Sequence, residues 1–191
     1  GEKWSYGINM DVLGCVVEVI SEMTFAEYLQ KNIFDPLELK SIGFSVNPQD
    51  KDSFTTLYTS GAFSRDGEVV APSGLNQAEL IYSAELRPID KFNNSPYLTN
   101  SSKLFDGGSG LVSNIDDYSK FAEMLLNGGV LNGVRILSEA SVELMSRNHL
   151  SEEILSDGAA FGLNGIGFGL TLGNVMDPGV AGTYSAEGEF F

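Results

Sequence analysis

Basic side chains are scarce in this sequence: 11 Lys and Arg stand against 26 Asp and Glu, and the net charge is −15. Such a charge repels nucleic-acid phosphates and anionic membrane surfaces, so we expect no nucleic-acid partner. No segment is long and apolar enough to predict a transmembrane helix, and no signal peptide is visible. The composition is typical of a soluble protein, and it leaves the compartment and the oligomeric state undetermined.

Cysteine and histidine occur only once each. Cys15 excludes an internal disulfide, and its place in a predicted helix favours a small core side chain over a nucleophile. A Ser-His-Asp triad would have to use His149, but no Gly-x-Ser-x-Gly elbow supplies the serine. We therefore interpret His149 as a solvated loop residue. Because His and Cys form no cluster, the sequence predicts no metal site, and nothing in it calls for a cofactor.

A phosphate-binding loop is also missing. Gly107-Gly108-Ser109-Gly110 lacks the Lys-Ser/Thr ending of a P-loop and the spacing of a dinucleotide fingerprint. We expect these glycines to allow close backbone packing just before a helix.

Apolar residues at helical spacing are present in four segments. They predict helices near residues 8–22, 24–33, 114–127 and 138–147. Capping boxes at Thr24 to Glu27 and at Ser113 to Asp116 mark two of the helix starts. The first of these helices is expected to bury Ile8, Val12, Val16, Val19 and Ile20, and the third to bury Ile115, Tyr118, Phe121, Ala122 and Leu125.

Strand and turn signals lie between and after these helices. Asp66-Gly67 and Asn132-Gly133 predict hairpin turns. Phe161 to Val175 alternates large apolar residues with Gly and Thr, which predicts a strand. Asn76 to Asn100 includes Pro88 and Pro96 and predicts a loop.

Tyr6 is the candidate catalytic residue. It stands just before the first predicted helix, where backbone N–H groups are unpaired and the helix dipole is positive, so a phenolate there could act as a base. The alternative is that Tyr6 simply packs at the rim of a core, and local sequence taken alone favours this alternative.

Several motifs resemble one family of enzymes. Tyr6 to Gly14, with Asp11-Val12-Leu13 between them, resembles the Tyr-Ser-x-x-x-Asp-Val-Leu-Gly element of serine hydrolases related to class C β-lactamases, especially the family VIII carboxylesterases. Further motifs follow in the family's order, which makes the resemblance specific. They are Phe105 to Ser113, Asp117 to Phe121, Met124 to Gly129, Leu131 to Leu137, Gly167 to Leu170 and Ser185 to Phe191.

The resemblance implies an α+β fold, namely part of the β-lactamase/transpeptidase-like fold with a helical region and part of an antiparallel sheet. Residues 1–191 would be an internal-to-late segment of one catalytic domain. In the family a Ser-x-x-Lys helix supplies the nucleophile and a Lys, a Tyr assists proton transfer, and a strand near the C-terminus lines the oxyanion hole. Only the Tyr matches here, at Tyr6, because none of the seven Lys residues has Ser three positions earlier and no Lys-Thr-Gly occurs. We therefore expect the isolated chain to be inactive.

The implied substrate is a small-molecule ester or lactam. Ile8 stands where β-lactamases of this class have Asn, two positions after the Tyr, and this departure favours ester hydrolysis by a carboxylesterase. Residues 54–99 would form an excursion that roofs a concave site containing Tyr6; no substrate-binding residue is assigned. Two alternatives stay open: a truncated, non-catalytic homologue that binds a ligand or a partner, and a D-Ala-D-Ala peptidase or other penicillin-binding protein.

Overall fold

The computed structural model describes residues 7–56, 58–60, 86–88, 96–99, 104–156 and 164–191. The chain divides into two compact units. The first comprises Gly1–Lys40, Asp106–Ser109 and Asn114–Phe191, and the second comprises Ser41–Phe105 and Gly110–Ser113. Within the described ranges no helix is long and apolar enough to cross a membrane.

Short helices and two-stranded antiparallel sheets make up these ranges. The helices are α1 Asn9–Ser21, α2 Phe25–Leu29, α3 Pro96–Thr99, α4 Ile115–Leu126, α5 Glu139–Ser146, α6 Glu152–Ser156 and α7 Pro178–Ala181, with a π-helical turn at Gln30–Phe34 and a 3-10 helix at Pro48–Ser53. The strands are β1 Tyr58–Ser60, β2 Leu86–Pro88, β3 Val130–Leu131, β4 Val134–Arg135, β5 Ile166–Phe168 and β6 Gly173–Val175. They pair antiparallel as β1 with β2, β3 with β4 and β5 with β6.

All four predicted helices are present in the first unit. The capping box that starts α2 is confirmed: Thr24 Oγ1 accepts the Glu27 N–H at 3.2 Å, and the Glu27 carboxylate accepts the Thr24 N–H at 3.0 Å. The box predicted at Ser113 is wrong by one residue. Asn114 is the N-cap of α4, and its Oδ1 accepts the Asp117 N–H at 2.8 Å.

The hairpin predicted at Asn132-Gly133 is formed by β3 and β4. Leu131 pairs with Val134 across the turn. The φ angles of Asn132 and Gly133 are 48° and 82°, so both turn residues are left-handed, as a two-residue type I′ hairpin requires.

The single strand predicted for Phe161 to Val175 is wrong in its described part, because the chain reverses there. β5 and β6 are the two arms of a hairpin, with Ile166 opposite Val175. Thr171 has a φ of 73°, and the Gly169 N–H donates to the Leu172 carbonyl at 2.7 Å, which closes the turn. The chain returns once more along β6, where Gly173 and Phe191 exchange two backbone hydrogen bonds of 2.9 Å.

The second unit contains β1 and β2, whose register places Thr59 opposite Arg87. Elsewhere in this unit, the backbones of Gly43 and Val112 exchange hydrogen bonds of 3.0 and 2.8 Å. The buried Phe44 ring lies 4.9 Å from the ring of Phe105.

The loop predicted for Asn76 to Asn100 is wrong at Pro88 and Pro96, which lie in a strand and in a helix. Pro88 is the last residue of β2 and Pro96 is the first of α3. Proline is tolerated at a strand end and in the first turn of a helix, since neither place needs its missing N–H. The hairpin predicted at Asp66-Gly67 lies outside the described residues.

The core of the first unit is apolar and comes from the segment after α2, from α4 and α5, and from the hairpins. Its buried members are Phe34, Leu37, Leu39, Met124, Leu125, Leu131, Val142, Ile166 and Val175. Helices packed with small antiparallel sheets confirm the predicted α+β class.

The buried face predicted for α4 is wrong at three of its five residues, because Ala122 is exposed along with Ile115 and Tyr118. Ile115 and Tyr118 are 75% and 59% exposed, whereas Asp117 is buried together with Met124 and Leu125. Hydrophobic periodicity cannot anticipate this orientation because a carboxylate with good hydrogen-bond donors can be buried in place of an apolar side chain.

The buried face predicted for α1 is also wrong. Gly14 is the buried residue of this helix, while all five residues of the predicted face are exposed. Cys15 is exposed as well, so it is not the core side chain that its helical position suggested. The reason is that the backbone of Gly107 closely approaches Gly14, so the glycine side of the helix is the side that is covered.

Candidate active site

The predicted catalytic residue, Tyr6, lies outside the described residues. Its place in a concave site shared with residues 54–99 therefore stays a prediction. The structure does describe the segment that follows it directly, from Gly7 and Ile8 into α1.

The start of α1 lies three residues after Tyr6 and lacks a side-chain cap. Ile8 is the N-cap residue; its backbone carbonyl accepts the Val12 N–H at 3.1 Å, but its side chain makes no capping hydrogen bond. The N–H groups of a first helical turn form the positive end of the helix dipole. A helix start of this kind stabilises a negative charge that lies near its N-terminal end.

Asp11 joins this helix start to a distant loop, residues 106–109, which we call the glycine loop. Asp11 lies in the first turn of α1, and its Oδ1 accepts the Gly108 N–H at 2.8 Å, although the two residues are 97 positions apart. A hydrogen bond to a carboxylate is stronger than one between neutral groups. Asp11 thus anchors the beginning of α1. The sequence shows only an acid in a first helical turn, which by itself indicates dipole compensation rather than an anchor.

Two glycines bring the backbones of α1 and the glycine loop into direct contact. A Cβ at Gly107 would overlap the carbonyl group of Met10. A Cβ at Gly14 would lie 3.5 Å from the Gly107 Cα. Only glycine permits the first of these approaches. The predicted role of the glycine run in close backbone packing is therefore confirmed, and its partner is the first part of α1.

A buried carboxylate holds a second part of the same unit together. Asp117 is 4% exposed, and its Oδ2 accepts the Lys40 N–H at 2.7 Å. Its Oδ1 lies 3.2 Å from Lys120 Nζ, which also donates to the Glu38 carbonyl at 3.2 Å. These contacts tie the segment that follows Pro36 to α4. The sequence could not show this role because Lys40 is 77 positions away.

A cavity of about 200 Å³ lies beside this network. Its lining includes Lys120, whose ammonium group is already occupied by Asp117 and Glu38. The cavity is therefore a gap between packed segments and does not resemble a catalytic centre. Its lining residues are Pro36, Leu37, Glu38, Lys120, Leu131, Asn132 and Val134.

The reactive side chains Cys15 and His149 both lie at the surface. Cys15 is exposed on α1. His149 is exposed, as predicted, and its Nε2 lies 2.7 Å from the Leu144 carbonyl oxygen. Among the residues that the structure describes, no group of three or more His, Cys, Asp and Glu side chains could hold a metal ion.

A family model that matches the whole length of the chain identifies its family. The family model named Beta-lactamase matches residues 1–191, and the helices, the small antiparallel sheets and the order of the motifs agree with it. The chain belongs to the Beta-lactamase family.

Two curated relatives come from Mycobacterium tuberculosis. They are Uncharacterized protein MT1414 of strain CDC 1551 / Oshkosh and Protein Rv1367c of strain ATCC 25618 / H37Rv, and each is 29% identical to this chain over 202 residues. The match covers 100% of this chain and 44% of either relative. The chain thus spans less than half the length of the curated relatives it matches.

Solved structures show the same fold. EstCE1, described as a hydrolase with promiscuous acyltransferase activity, has a TM-score of 0.66 at 22% identity over 97% of this chain and 44% of its own. Simvastatin synthase (LovD) from Aspergillus terreus has a TM-score of 0.63 at 22% identity over 92% and 41%. A D-stereospecific amidohydrolase from Streptomyces sp. has a TM-score of 0.54 at 17% identity over 90% and 39%.

Proposed function

We propose that residues 1–191 form part of the catalytic domain of a serine hydrolase that works by acyl transfer on small carboxylic esters, with Tyr6 as a general acid and base. One observation carries the proposal. Tyr6, Asp11 and Gly14 match the family's motif. Asp11 and Gly14 hold α1 against the glycine loop, the first through a hydrogen bond and the second through a close backbone contact.

Rigid attachment matters because proton transfer depends on the position of the phenol. A misplacement of about 1 Å can cost about 10²-fold in rate. Tyr6 is joined through Gly7 and Ile8 to a helix whose first turn is held by the Asp11 hydrogen bond and by the contact between Gly107 and Met10. The Asp11 anchor, five residues after Tyr6, therefore supports a role in which the position of Tyr6 must be precise.

The proposed chemistry assigns one role to Tyr6. In acylation, a serine oxygen bonds to the carbonyl carbon of the ester and the bond to the alkoxide breaks. Tyr6 accepts the serine proton and returns it to the alkoxide, which leaves as the alcohol. In deacylation Tyr6 takes a proton from water, or from an acceptor alcohol, as that molecule attacks the acyl carbon. The bond from the acyl carbon to the serine oxygen breaks, Tyr6 returns the proton to that oxygen, and the carboxylic acid or the new ester leaves. The serine would come from a Ser-x-x-Lys motif, which residues 1–191 do not contain.

An ester is the favoured substrate for two reasons. Ile8 replaces the Asn that β-lactamases of the resembled class have at this position. Among the structural neighbours, EstCE1 is a hydrolase with acyltransferase activity and LovD is a synthase. The amidohydrolase neighbour supports an amide as the second candidate.

The test uses the full-length protein with three chromogenic substrate classes: p-nitrophenyl esters of increasing acyl length, a β-lactam, and a D-amino-acid p-nitroanilide. We expect turnover of the esters, and Tyr6→Phe should lower kcat by about 10²-fold or more. The matched control is Tyr184→Phe, which removes the same hydroxyl from a fully exposed tyrosine of the first unit and should leave kcat unchanged.

Each other outcome selects an alternative. An unimpaired Tyr6→Phe enzyme would assign Tyr6 to packing. Turnover confined to the anilide or the lactam would assign the domain to the amidase or penicillin-binding group. A folded protein that binds but turns over none of the three classes would be the non-catalytic homologue.

A further inference from the structure

Asn174 is a buried polar residue in the middle of a strand. It is the second of the three residues of β6 and is only 3% exposed, although asparagine is depleted in strands. Its Nδ2 donates to the carbonyl of Ser146, the last residue of α5, at 2.7 Å. Among the residues that the structure describes, no donor reaches its Oδ1. Because a buried amide oxygen without a donor lowers stability, Asn174 requires an explanation other than stability.

A second side-chain amide meets that of Asn174 over Gly167 of β5. A Cβ at Gly167 would overlap both Asn174 Oδ1 and Asn148 Oδ1, so only glycine fits between them. Asn148 Oδ1 accepts the N–H groups of Phe168, at 3.1 Å, and of Leu150, at 3.0 Å. Asn148 thus attaches β5 to the segment that follows α5, and Asn174 attaches β6 to the end of α5 itself.

Other features of the β5–β6 hairpin specify its register only weakly. A strand is usually held in register by the alternation of buried and exposed side chains and by its turn. All three residues of β6 are buried, so this alternation is missing. The turn contains Thr171, whose φ of 73° is unfavourable for a β-branched residue. The hydrogen bond from Asn174 to Ser146 does select one register, because a slip by one residue would turn the amide to the other face of the sheet.

The register of β6 also determines the position of residues 189–191, which pair with its other edge. The Val175 N–H donates to the Glu189 carbonyl at 2.8 Å, and Gly173 and Phe191 exchange two hydrogen bonds of 2.9 Å. The Phe191 ring lies over Gly173, where a Cβ would be 2.7 Å from two ring atoms. A residue with a side chain therefore cannot replace Gly173 opposite Phe191, and a slip of β6 would displace residues 189–191.

We propose that Asn174 is a positioning residue, which fixes the register of β6 and, through Gly173, that of residues 189–191, at a cost in stability. A single buried asparagine has this effect in coiled coils, where it specifies the register and lowers stability. The inference rests on the proposed function in one respect. Residues 189–191 end the Ser185 to Phe191 motif, which matches the hydrolase family, so their displacement should impair turnover.

Two variants of the full-length protein test the hydrogen bond of Asn174. Asn174→Leu keeps the branched shape and removes both the donor and the buried Oδ1, so we expect a melting temperature within about 4 °C of the wild type or above it. Asn174→Asp also keeps the shape but places an oxygen, instead of a donor, beside the Ser146 carbonyl. Its melting temperature should be the lowest of the three proteins.

The matched control is Asn32→Leu. Asn32 also donates its Nδ2 to a backbone carbonyl, that of Tyr28 at 2.8 Å, but it is exposed. This variant should leave the ladder of β6 and kcat unchanged.

Amide hydrogen exchange gives the decisive measurement, because it reports on each segment separately. The N–H groups of Gly173, Val175 and Phe191 donate between β6 and residues 189–191. Asn174→Leu should speed the exchange of these three amides by about 10-fold or more, while the amides of α4 keep their wild-type rates. Its kcat for p-nitrophenyl esters should fall by about 10-fold with little change in KM.

Each contrary result overturns part of the proposal. Unchanged exchange of the three amides in Asn174→Leu would contradict the register role, and an equal acceleration in α4 would reduce Asn174 to a general contribution to stability. Equal melting temperatures for Asn174→Leu and Asn174→Asp would contradict the hydrogen bond to Ser146. Faster exchange with an unchanged kcat would overturn the link to turnover. The exchange and melting measurements do not need turnover, so they can fail while Tyr6→Phe still abolishes activity, and the reverse also holds.

Discussion

Gly108, in the loop before α4, donates its backbone N–H to the carboxylate of Asp11 in α1 at 2.8 Å. Parts of two motifs that are far apart in the sequence, Asp11 to Gly14 and Asp106 to Ser109, therefore form one structural feature. The first supplies a carboxylate, and the second supplies an N–H together with a glycine, Gly107, that lets the backbones approach. This contact gives a physical reason for the two motifs to occur together.

Asp11→Ala tests the anchor. The variant leaves the Gly108 N–H without its carboxylate, and because the bond is accessible to water we expect a loss of about 1 kcal/mol in the free energy of unfolding. If Asp11 positions Tyr6, kcat for ester hydrolysis should fall while KM changes little. Urea denaturation and steady-state kinetics of the full-length protein measure the two effects. Asp52→Ala, at an exposed aspartate in the 3-10 helix, is the matched control, and an equal response of both variants would remove the positioning role.

Gly107→Ala tests the backbone contact. The added methyl group would overlap the Met10 carbonyl, so α1 or the loop must shift. Overpacking of this kind costs about 1–3 kcal/mol. The control is Gly7→Ala, where a methyl group would meet nothing within 4 Å. We expect thermal unfolding to give a lower melting temperature for Gly107→Ala than for Gly7→Ala. An unchanged melting temperature for Gly107→Ala would contradict the packing described for α1.

Asp117→Ala should destabilise the protein far more than Asp116→Ala. Both aspartates lie in the first turn of α4, so both interact with the helix dipole. Only Asp117 is buried and bonded to the Lys40 N–H and to Lys120. Leaving buried donors unpaired costs about 1–3 kcal/mol. Denaturant unfolding gives the free energy of unfolding of each variant. A difference near zero between Asp117→Ala and Asp116→Ala would mean that the Lys40 segment finds other partners.

Glu27 should contribute to the pH dependence of stability. Hydrogen bonds from the side chain and backbone of Thr24 lower the pKa of the Glu27 carboxyl below its ordinary value of 4.5. The folded state therefore binds this proton more weakly than the unfolded chain does. Its contribution to stability is present above pH 4.5 and is lost as the pH falls through the lowered pKa.

Carboxyl-carbon NMR titration of Glu27 checks this directly. Thr24→Val removes the hydroxyl, so the pKa of Glu27 should move back up toward its ordinary value. The melting temperature of Glu27→Gln should lie below that of the wild type at pH 7, and the difference should shrink as the pH falls from 4.5 through the lowered pKa of Glu27. A constant gap between the two proteins across that range would contradict the assignment.

The isolated 191-residue chain should show no hydrolysis of p-nitrophenyl esters or of a β-lactam. The reason is chemical: an acyl-enzyme needs an activated nucleophile, and the chain has no Ser-x-x-Lys. The full-length protein under the same conditions is the positive control. Turnover by the purified chain that survives removal of contaminating esterases would mean that one of its own serines is the nucleophile.

Local chemistry accounts for what the sequence could determine. The capping box at Thr24 and the left-handed turn at Asn132-Gly133 depend on side chains within a few residues of one another, and both were predicted correctly. The positions of the four helices follow from the same short-range rules. The order of the motifs was enough to predict the family, which the family model confirms.

Contacts between distant segments decided the rest. Periodicity predicts that a helix has an apolar face, but Gly14 against Gly107 and Asp117 against Lys40 decide which face of α1 and of α4 is buried. One further difference is local: the left-handed φ of Thr171, a residue type that rarely adopts it, turns one predicted strand into a hairpin. The sequence alone therefore determined the positions of the four helices, one capping box and one turn, because these depend on neighbours along the chain, and the order of its motifs indicated the family. Tyr6 stays a prediction. Only the tertiary structure could show the anchor at Asp11 and which side of α1 is covered, because both depend on backbone approaches and hydrogen bonds between residues that are far apart in sequence.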